Sequence, residues 1–141
     1  MTRDHPDRYA EEAAALERLT RRHGGERYRR LNAYGGPYLA AAPLEVVNLI
    51  VSALHRGDEE GVTGQDLDDA LLLLGRAREE LDHHELELVD HARLRYGRTW
   101  EQIGRAVGDG DRRTAQTRYS RLRERTPGYA PPATDQEATS A

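Results

Sequence analysis

Trp100–Arg123 reads WEQIGRAVGDGDRRTAQTRYSRLR, and the way its small and polar residues punctuate it decides the fold. Thr99 followed by Gln102 makes a capping box, in which each side chain satisfies an end amide of the other residue, so a helix is predicted from Trp100 to Val107. Gly108 can adopt the left-handed conformation that ends such a helix, and Asp111 is suited to cap the next one. At 100° per residue, Trp100, Ile103, Gly104 and Val107 share one face of the first helix, and Ala115, Tyr119 and Leu122 share one face of the second. Gly104 and Ala115 are small enough to let two helices cross closely, the requirement of a helix-turn-helix.

If that face is the core, Arg113, Thr117, Ser120 and Arg121 point the other way, with Gln116 and Thr114 beside them. Arginine can bond guanine through two nitrogens, glutamine can do the same for adenine, threonine can touch a thymine methyl, and serine with a second arginine can hold phosphates. Arg112, Arg98 and Arg105 extend the phosphate footprint. The candidate DNA contacts are therefore Arg98, Arg105, Arg112, Arg113, Gln116, Thr117, Ser120 and Arg121. Asp109 and Asp111 oppose a phosphate at the helix start, so side chains rather than backbone amides are expected to make the contacts there.

Working outward, apolar residues recur at helical spacing and almost nowhere alternate, which predicts an all-α protein. A helix over 6–22 carries Tyr9, Ala13, Leu16 and Leu19 on one side and stops at Gly24-Gly25. ERYRRLNAYGGPYL follows as a short helical or irregular segment, with a loop at Gly35-Gly36-Pro37. APLEVVNLIVSALHRG is apolar nearly all round except for Glu45, Asn48 and Ser52, so the helix from Pro43 to His55 asks for burial on most of its surface. Thr63 with Asp66 opens a further helix whose expected inward stripe is Leu67, Ala70, Leu71, Leu74, Ala77, Arg78 and Leu81, widened by Leu72 and Leu73 as a dimer contact would be. Asp82 with Glu85 offers another cap, leaving two readings: a break there, with a helix from about His83 to Tyr96, or one long helix. The division expected is 1–81 as a helical, dimerising region, 82–125 as the DNA-binding part, and 126–141, rich in Pro, Ala, Thr and acid, as a disordered tail.

The formal charge of −4 over 141 residues conceals strong polarity: residues 1–56 carry +2, 57–91 carry −10, 92–125 carry +6 and 126–141 carry −2. A basic block beside an acidic one points to phosphate as a partner more than the net charge does, because affinity follows local phosphate contacts. All 21 basic residues are Arg, first a mark of a GC-rich genome and only second a functional choice. With no Cys, thiolate metal sites and cysteine nucleophiles are excluded, along with most zinc-based DNA-binding modules. Neither an apolar signal region near Asp4 and Asp7 nor a run near the 18 or so apolar residues of a membrane span is visible, so a cytoplasmic protein, nucleoid-associated and off the membrane, is expected.

The segment ELELVDHARLRYGRTWEQIGRAVGDGDRRTAQTRYSRLR resembles the C-terminal DNA-binding part of a group of actinobacterial, especially streptomycete, helix-turn-helix proteins. The resemblance falls on Val89-Asp90, Ala92-Arg93, Gly97, Trp100, Ile103, Gly108, Ala115 and the run Arg118 to Arg123, and with the leucine-rich helix upstream it spans about 64–125. Some of that group are described as regulators of small heat-shock protein genes. The sequence departs at GDGDRRTAQ, where the group usually has a neutral turn and Arg-Gln, so a DNA sequence preference does not carry over.

Other features have plainer readings. His83-His84-Glu85 reads as solvated residues at a helix start rather than a metal site, since adjacent histidines on a helix diverge. Arg18, Arg21, Arg22, Arg27, Arg29 and Arg30 with Tyr28 and Tyr34 form either a second nucleic-acid contact or a polar helix end, and the run Asp58 to Asp69 reads as a solvated loop and helix start. No phosphate-cradling loop, nucleophile elbow or paired catalytic carboxylates appear, so neither enzyme nor cofactor is expected. The expected function is a homodimeric, sequence-specific regulator of transcription on double-stranded DNA, its two reading helices about 34 Å apart. A helical adaptor for an acidic partner such as a sigma factor, or a sequence-independent chromosome-organising protein, is the alternative.

Overall fold

A computed structural model describes residues 6–57, 61–108 and 110–133. All regular structure among them is helical: α1 Pro6–His23, α2 Gly25–Leu31, α3 Pro43–His55, α4 Gly64–Leu94, α5 Trp100–Ala106 and α6 Arg112–Arg125. None is long and apolar enough to cross a membrane. α4 runs through Asp82 without a break, because a potential cap does not interrupt a helix whose amides already have partners one turn back. The chain divides into two compact units, meeting in sequence at Glu80 and Leu81.

The first unit closes around Ala15, Leu19, Tyr28, Ala41, Val46, Ile50, Ala70 and Leu73, with Leu16, Val47, Val62 and Leu72 packed on it. The face α1 buries is Glu12, Ala15, Leu19 and Thr20, rotated from the expected stripe, so that Ala13 and Tyr9 lie exposed. The face of α4 is rotated likewise: Asp66, Asp69, Ala70, Leu73 and Ala77 are buried, whereas Leu67, Leu71 and Leu81 are 40%, 64% and 54% exposed and Arg78 is exposed. In α3 only Val46, Ile50 and Ala53 are buried, and Val51 is 44% exposed, so burial there is narrower than its composition asks.

The rotation has an electrostatic cause. Arg18 bonds both carboxylate oxygens of Asp69 at 2.9 Å. Arg22 bonds Asp66 at 2.8 and 3.0 Å, with His23 on the same carboxylate at 3.0 Å, and Arg76 bonds Glu12. Buried carboxylates demand partners of this kind, and satisfying them fixes which way each helix faces. Burial opposes the charge on Asp66, yet the bonds from Arg22, His23 and the Thr63 amide outweigh it and hold the carboxyl well below the usual range. Asp66 and Thr63 also form the expected reciprocal cap, each amide donating to the other's side chain at 3.0 and 3.1 Å.

All six arginines of the Arg18 to Arg30 cluster have partners: Arg18 and Arg22 hold α4, Arg21 bonds Glu17, Arg27 lies 4.0 Å from Glu45, and Arg29 and Arg30 bond Glu26. Asp66 and Asp69 are buried anchors, not solvated residues; residues 58–60 lie outside the described set.

In the second unit Leu86, Leu122 and Tyr129 are buried together with Tyr119 packed on them. Tyr129 sits in the segment read as a disordered tail, and its role there is a correction: it is 7% exposed, and its hydroxyl donates to Asp90 Oδ2 at 2.5 Å. Tyr119 donates to Asp90 Oδ1 at 2.7 Å, so the buried Asp90 accepts from two phenols. Pro, Thr and Gly around Tyr129 hide its contribution from a reading by composition. Residues 134–141 lie outside the described set.

Candidate nucleic-acid interface

The turn chemistry around α5 and α6 follows the sequence closely. Gly97 has φ +64°, and the Arg98 amide reaches back to the Ala92 carbonyl at 2.9 Å, the long bond that closes a helix at a left-handed residue. Thr99 Oγ1 accepts from the Gln102 amide at 3.1 Å while Gln102 Oε1 accepts from the Thr99 amide at 2.8 Å. Gly108 ends α5 with φ +86°. Asp111 caps α6, accepting from the Thr114 amide at 2.7 Å; that bond pulls its carboxyl below the ordinary range. Asp109, the other acid expected to repel a phosphate, lies outside the described residues.

Gly104 is where the crossing is tightest. A Cβ there would sit 2.8 Å from the Asp111 carbonyl oxygen and 3.4 Å from the Ala115 Cβ, and the Gly110 amide donates to the Gly104 carbonyl at 3.1 Å. Ile103, Gly104, Ala115 and Leu122 are buried. Trp100 and Val107 are half-buried, and the Trp100 ring meets Tyr119 edge-on at 5.3 Å. Tyr119 is half-buried too.

On the far side of α6, Arg113, Thr117, Ser120 and Arg121 are exposed, with Thr114 also exposed and Gln116 half-buried. Arg118, which continues that helix, is diverted: it bonds both oxygens of Glu85 at 2.8 and 2.7 Å. Arg123 donates to the Tyr119 hydroxyl at 2.9 Å, and Arg125 lies 3.6 Å from Asp82. Arg118 and Arg125 thus brace α6 against α4 and Arg123 stays on its own helix, whereas Arg112, Arg113 and Arg121 are left to solvent.

Arg98 and Arg112 line an open cleft of about 390 Å³ with Arg93, Thr99, Trp100 and Glu101. The Arg93 guanidinium lies 4.2 Å over the Trp100 ring. Stacking of that kind holds the planar cation in place and leaves its edge nitrogens free to donate. Arg93 is absent from the contacts expected of the sequence, and the signal for it was the pairing of Ala92-Arg93 with a tryptophan seven residues on, across the Gly97 turn. Arg105 sits apart, bonded to Glu101 at 2.9 Å in an exposed pair one turn away, a bond weak enough to exchange for a phosphate.

The cleft is a cation-rich notch suited to a phosphate, and the α6 face offers the donors that read base edges. Among the described residues one set of metal-ligating side chains converges: His83, His84 and Glu87 bring one ligand atom each within 4.8 Å of one another. Against the reading that adjacent histidines diverge, these can reach one point; His83 also meets Tyr129 edge-on at 5.3 Å.

Comparison with family models, with curated proteins and with solved structures found no match to this chain.

Proposed function

We propose that the chain is a sequence-specific, double-stranded-DNA-binding regulator of transcription, acting at the nucleoid as a homodimer, in which α5, its turn and α6 work as a helix-turn-helix with α6 in the major groove. One observation carries this reading: the arginines fall into two populations. Arg18, Arg22 and Arg76 of the first unit hold buried or half-buried carboxylates, whereas Arg98, Arg112, Arg113 and Arg121 form no ion pair or hydrogen bond through their side chains among the described residues. Four guanidinium groups without such a bond, of which only Arg113 acts through space on Asp111, around one exposed helix and its adjoining cleft favour a polyanion, and the Thr117, Ser120 and Gln116 side chains between them favour one that presents base edges.

In this mechanism the arginines of the cleft, Arg93, Arg98 and Arg112, take backbone phosphates and fix the register of α6. Arg113 and Gln116 then meet base edges, and Arg121 holds a phosphate on the far side. The Asp111 carboxylate, spent on the α6 amides, supplies a cap and at the same time keeps phosphate away from that helix end, so positioning falls to side chains.

The test is enrichment of duplexes from a random pool, followed by affinity measurements on the enriched site and on a scrambled one. Arg113→Ala is expected to weaken the enriched site by about 1–3 kcal/mol and relax one base position, and Arg121→Ala to weaken both duplexes alike. No enrichment, with unchanged affinity for any duplex in both variants, would count against the reading and favour an adaptor that docks protein.

A further inference from the structure

α4 carries a second apolar stripe that the core does not use. Leu67, Leu71, Leu74, Arg78 and Leu81 recur at intervals of four, three, four and three, the spacing of a coiled-coil seam. Three of these leucines are the exposed ones named above, Leu74 is half-buried and Arg78 is exposed. The next seam position is Glu85, whose carboxylate holds Arg118 of its own chain, so the stripe ends at Leu81. It is 15 residues long, about 22 Å at 1.5 Å per residue.

We propose that this stripe is the homodimer seam, and that a second copy of the chain packs on it antiparallel, α4 against α4, with Leu74 at the two-fold axis. The direction is set by Arg78. In a parallel, in-register pair each Arg78 would meet its own copy inside an apolar seam, a like-charge contact with nothing to offset it. In the antiparallel pair centred on Leu74, Leu67 faces Leu81 of the other copy, and Arg78 falls about 3 Å along the axis from Asp68 of the other copy. Asp68 flanks the seam, is exposed, and has no ion pair or hydrogen bond through its carboxylate among the described residues; the same is true of Arg78. Two opposite charges, each without an ion pair or hydrogen bond among the described residues of its own chain, meet only when the helices run in opposite directions.

Gly75 is a second, independent pointer to the same place. It lies inside a 31-residue helix, where glycine costs about 1 kcal/mol relative to alanine, and a Cβ there would meet nothing within 4 Å. The fold of one chain therefore gives no reason for it. Beside Leu74, at the two-fold axis, it lets two backbones approach.

This inference rests on the homodimer part of the proposed function and is tested without DNA, by sedimentation equilibrium of the full chain. The wild type is expected to be a dimer. Leu71→Glu, at a position 64% exposed in the single chain, is expected to leave the circular dichroism spectrum unchanged and to weaken dimerisation at least about tenfold, as a buried unpaired charge does. Arg78→Asp is expected to weaken it about tenfold, and Asp68→Arg combined with Arg78→Asp to restore it to within about threefold of wild type, on the scale of a close charge pair in an interface. Gly75→Ala is expected to raise the melting temperature of the Leu71→Glu chain yet weaken the wild-type dimer. A monomeric wild type, a dimer indifferent to Leu71→Glu, or a dimer that Arg78→Asp weakens and the added Asp68→Arg fails to restore, would each overturn the proposal. A dimer that binds no duplex would sink the DNA reading and leave the seam standing; a monomer that binds DNA would do the reverse.

Discussion

At the scale of single residues, the second unit is tied together at Asp90, a buried carboxylate satisfied by two tyrosines, one from α6 and one from the segment that follows it. Tyr129→Phe keeps the ring in place and removes one donor, so it is expected to destabilise the chain by about 1–3 kcal/mol in chemical denaturation. Burial first, and then the bond to Asp90, push the Tyr129 hydroxyl above the ordinary phenol range, and Tyr119 shifts the same way for the same causes. A phenol whose folded value is raised stabilises fully below the unfolded value near 10 and loses that contribution as pH rises above it. The wild type is therefore expected to lose stability above about pH 10, and Tyr129→Phe to lose less of it over the same range. Gly104→Ala is a steric counterpart: the methyl group would press on the Asp111 carbonyl, which cannot yield without moving the start of α6. A loss of about 2 kcal/mol or more in thermal or urea unfolding is expected. A neutral Gly104→Ala would mean that the α5 and α6 backbones are not in contact.

At the scale of elements, legibility depended on whether one residue or many set the outcome. Capping boxes and left-handed glycines act over three or four residues, so α5, α6 and the bounds of α3 could be read directly: Thr99 with Gln102, Gly97, Gly108 and Asp111 all do what their chemistry asks. The faces of α1 and α4 could not, because a periodic count treats Asp66, Asp69 and Glu12 as solvent-facing and gives the core to Leu67, Leu71 and Tyr9. Long-range pairs, Arg18 with Asp69 and Arg22 with Asp66, overrule that count, and nothing local announces them. Tyr129 escaped notice for a related reason, since one aromatic in TPGYAPP carries an anchor that average composition hides. Deleting residues 126–141 removes Tyr129 from Leu86 and Leu122, whereas deleting 134–141 spares it. Melting curves of the two truncations are expected to differ, with the longer deletion lower by at least about 5 °C, as a loss near 2–3 kcal/mol implies for a unit of this size. Equal melting temperatures would mean the Tyr129 contact contributes nothing.

For the whole molecule, charge polarity is the organising fact, and it works differently in the two units. In the first, Arg18, Arg22 and Arg76 hold carboxylates of other helices, while Arg78 and Asp68 have no ion pair or hydrogen bond through their side chains among the described residues. The carboxyls of Asp66 and Asp69 are both lowered, the first against its burial and the second by Arg18 before anything else. A depressed carboxyl stabilises above the unfolded value near 4 and ceases to as pH falls through the folded one. Acid unfolding is accordingly expected to begin below about pH 4. Asp66→Asn, which keeps the cap and discards the charge, is expected to flatten that acid limb in a pH series of denaturation curves. In the second unit carboxylates are fewer, and Arg98, Arg112, Arg113 and Arg121 form a surplus of positive charge with no ion pair or hydrogen bond through their side chains among the described residues. The eight contact residues expected from the sequence are all on or beside that surplus, with Arg105 alone tied to a neighbouring acid, and Arg93 joins them through Trp100.

If this surplus meets DNA phosphate, the affinity of the full chain for a duplex containing its enriched site, measured by fluorescence anisotropy, falls steeply from low to high salt. Each phosphate neutralised contributes about −0.9 to the slope of log affinity against log salt. Arg93, Arg98, Arg112 and Arg121 together call for a slope of about −3 to −4 per protomer, falling by about one with Arg112→Ala. A slope near zero, or one that Arg112→Ala and Arg121→Ala leave unchanged, would mean that these arginines do not meet phosphate.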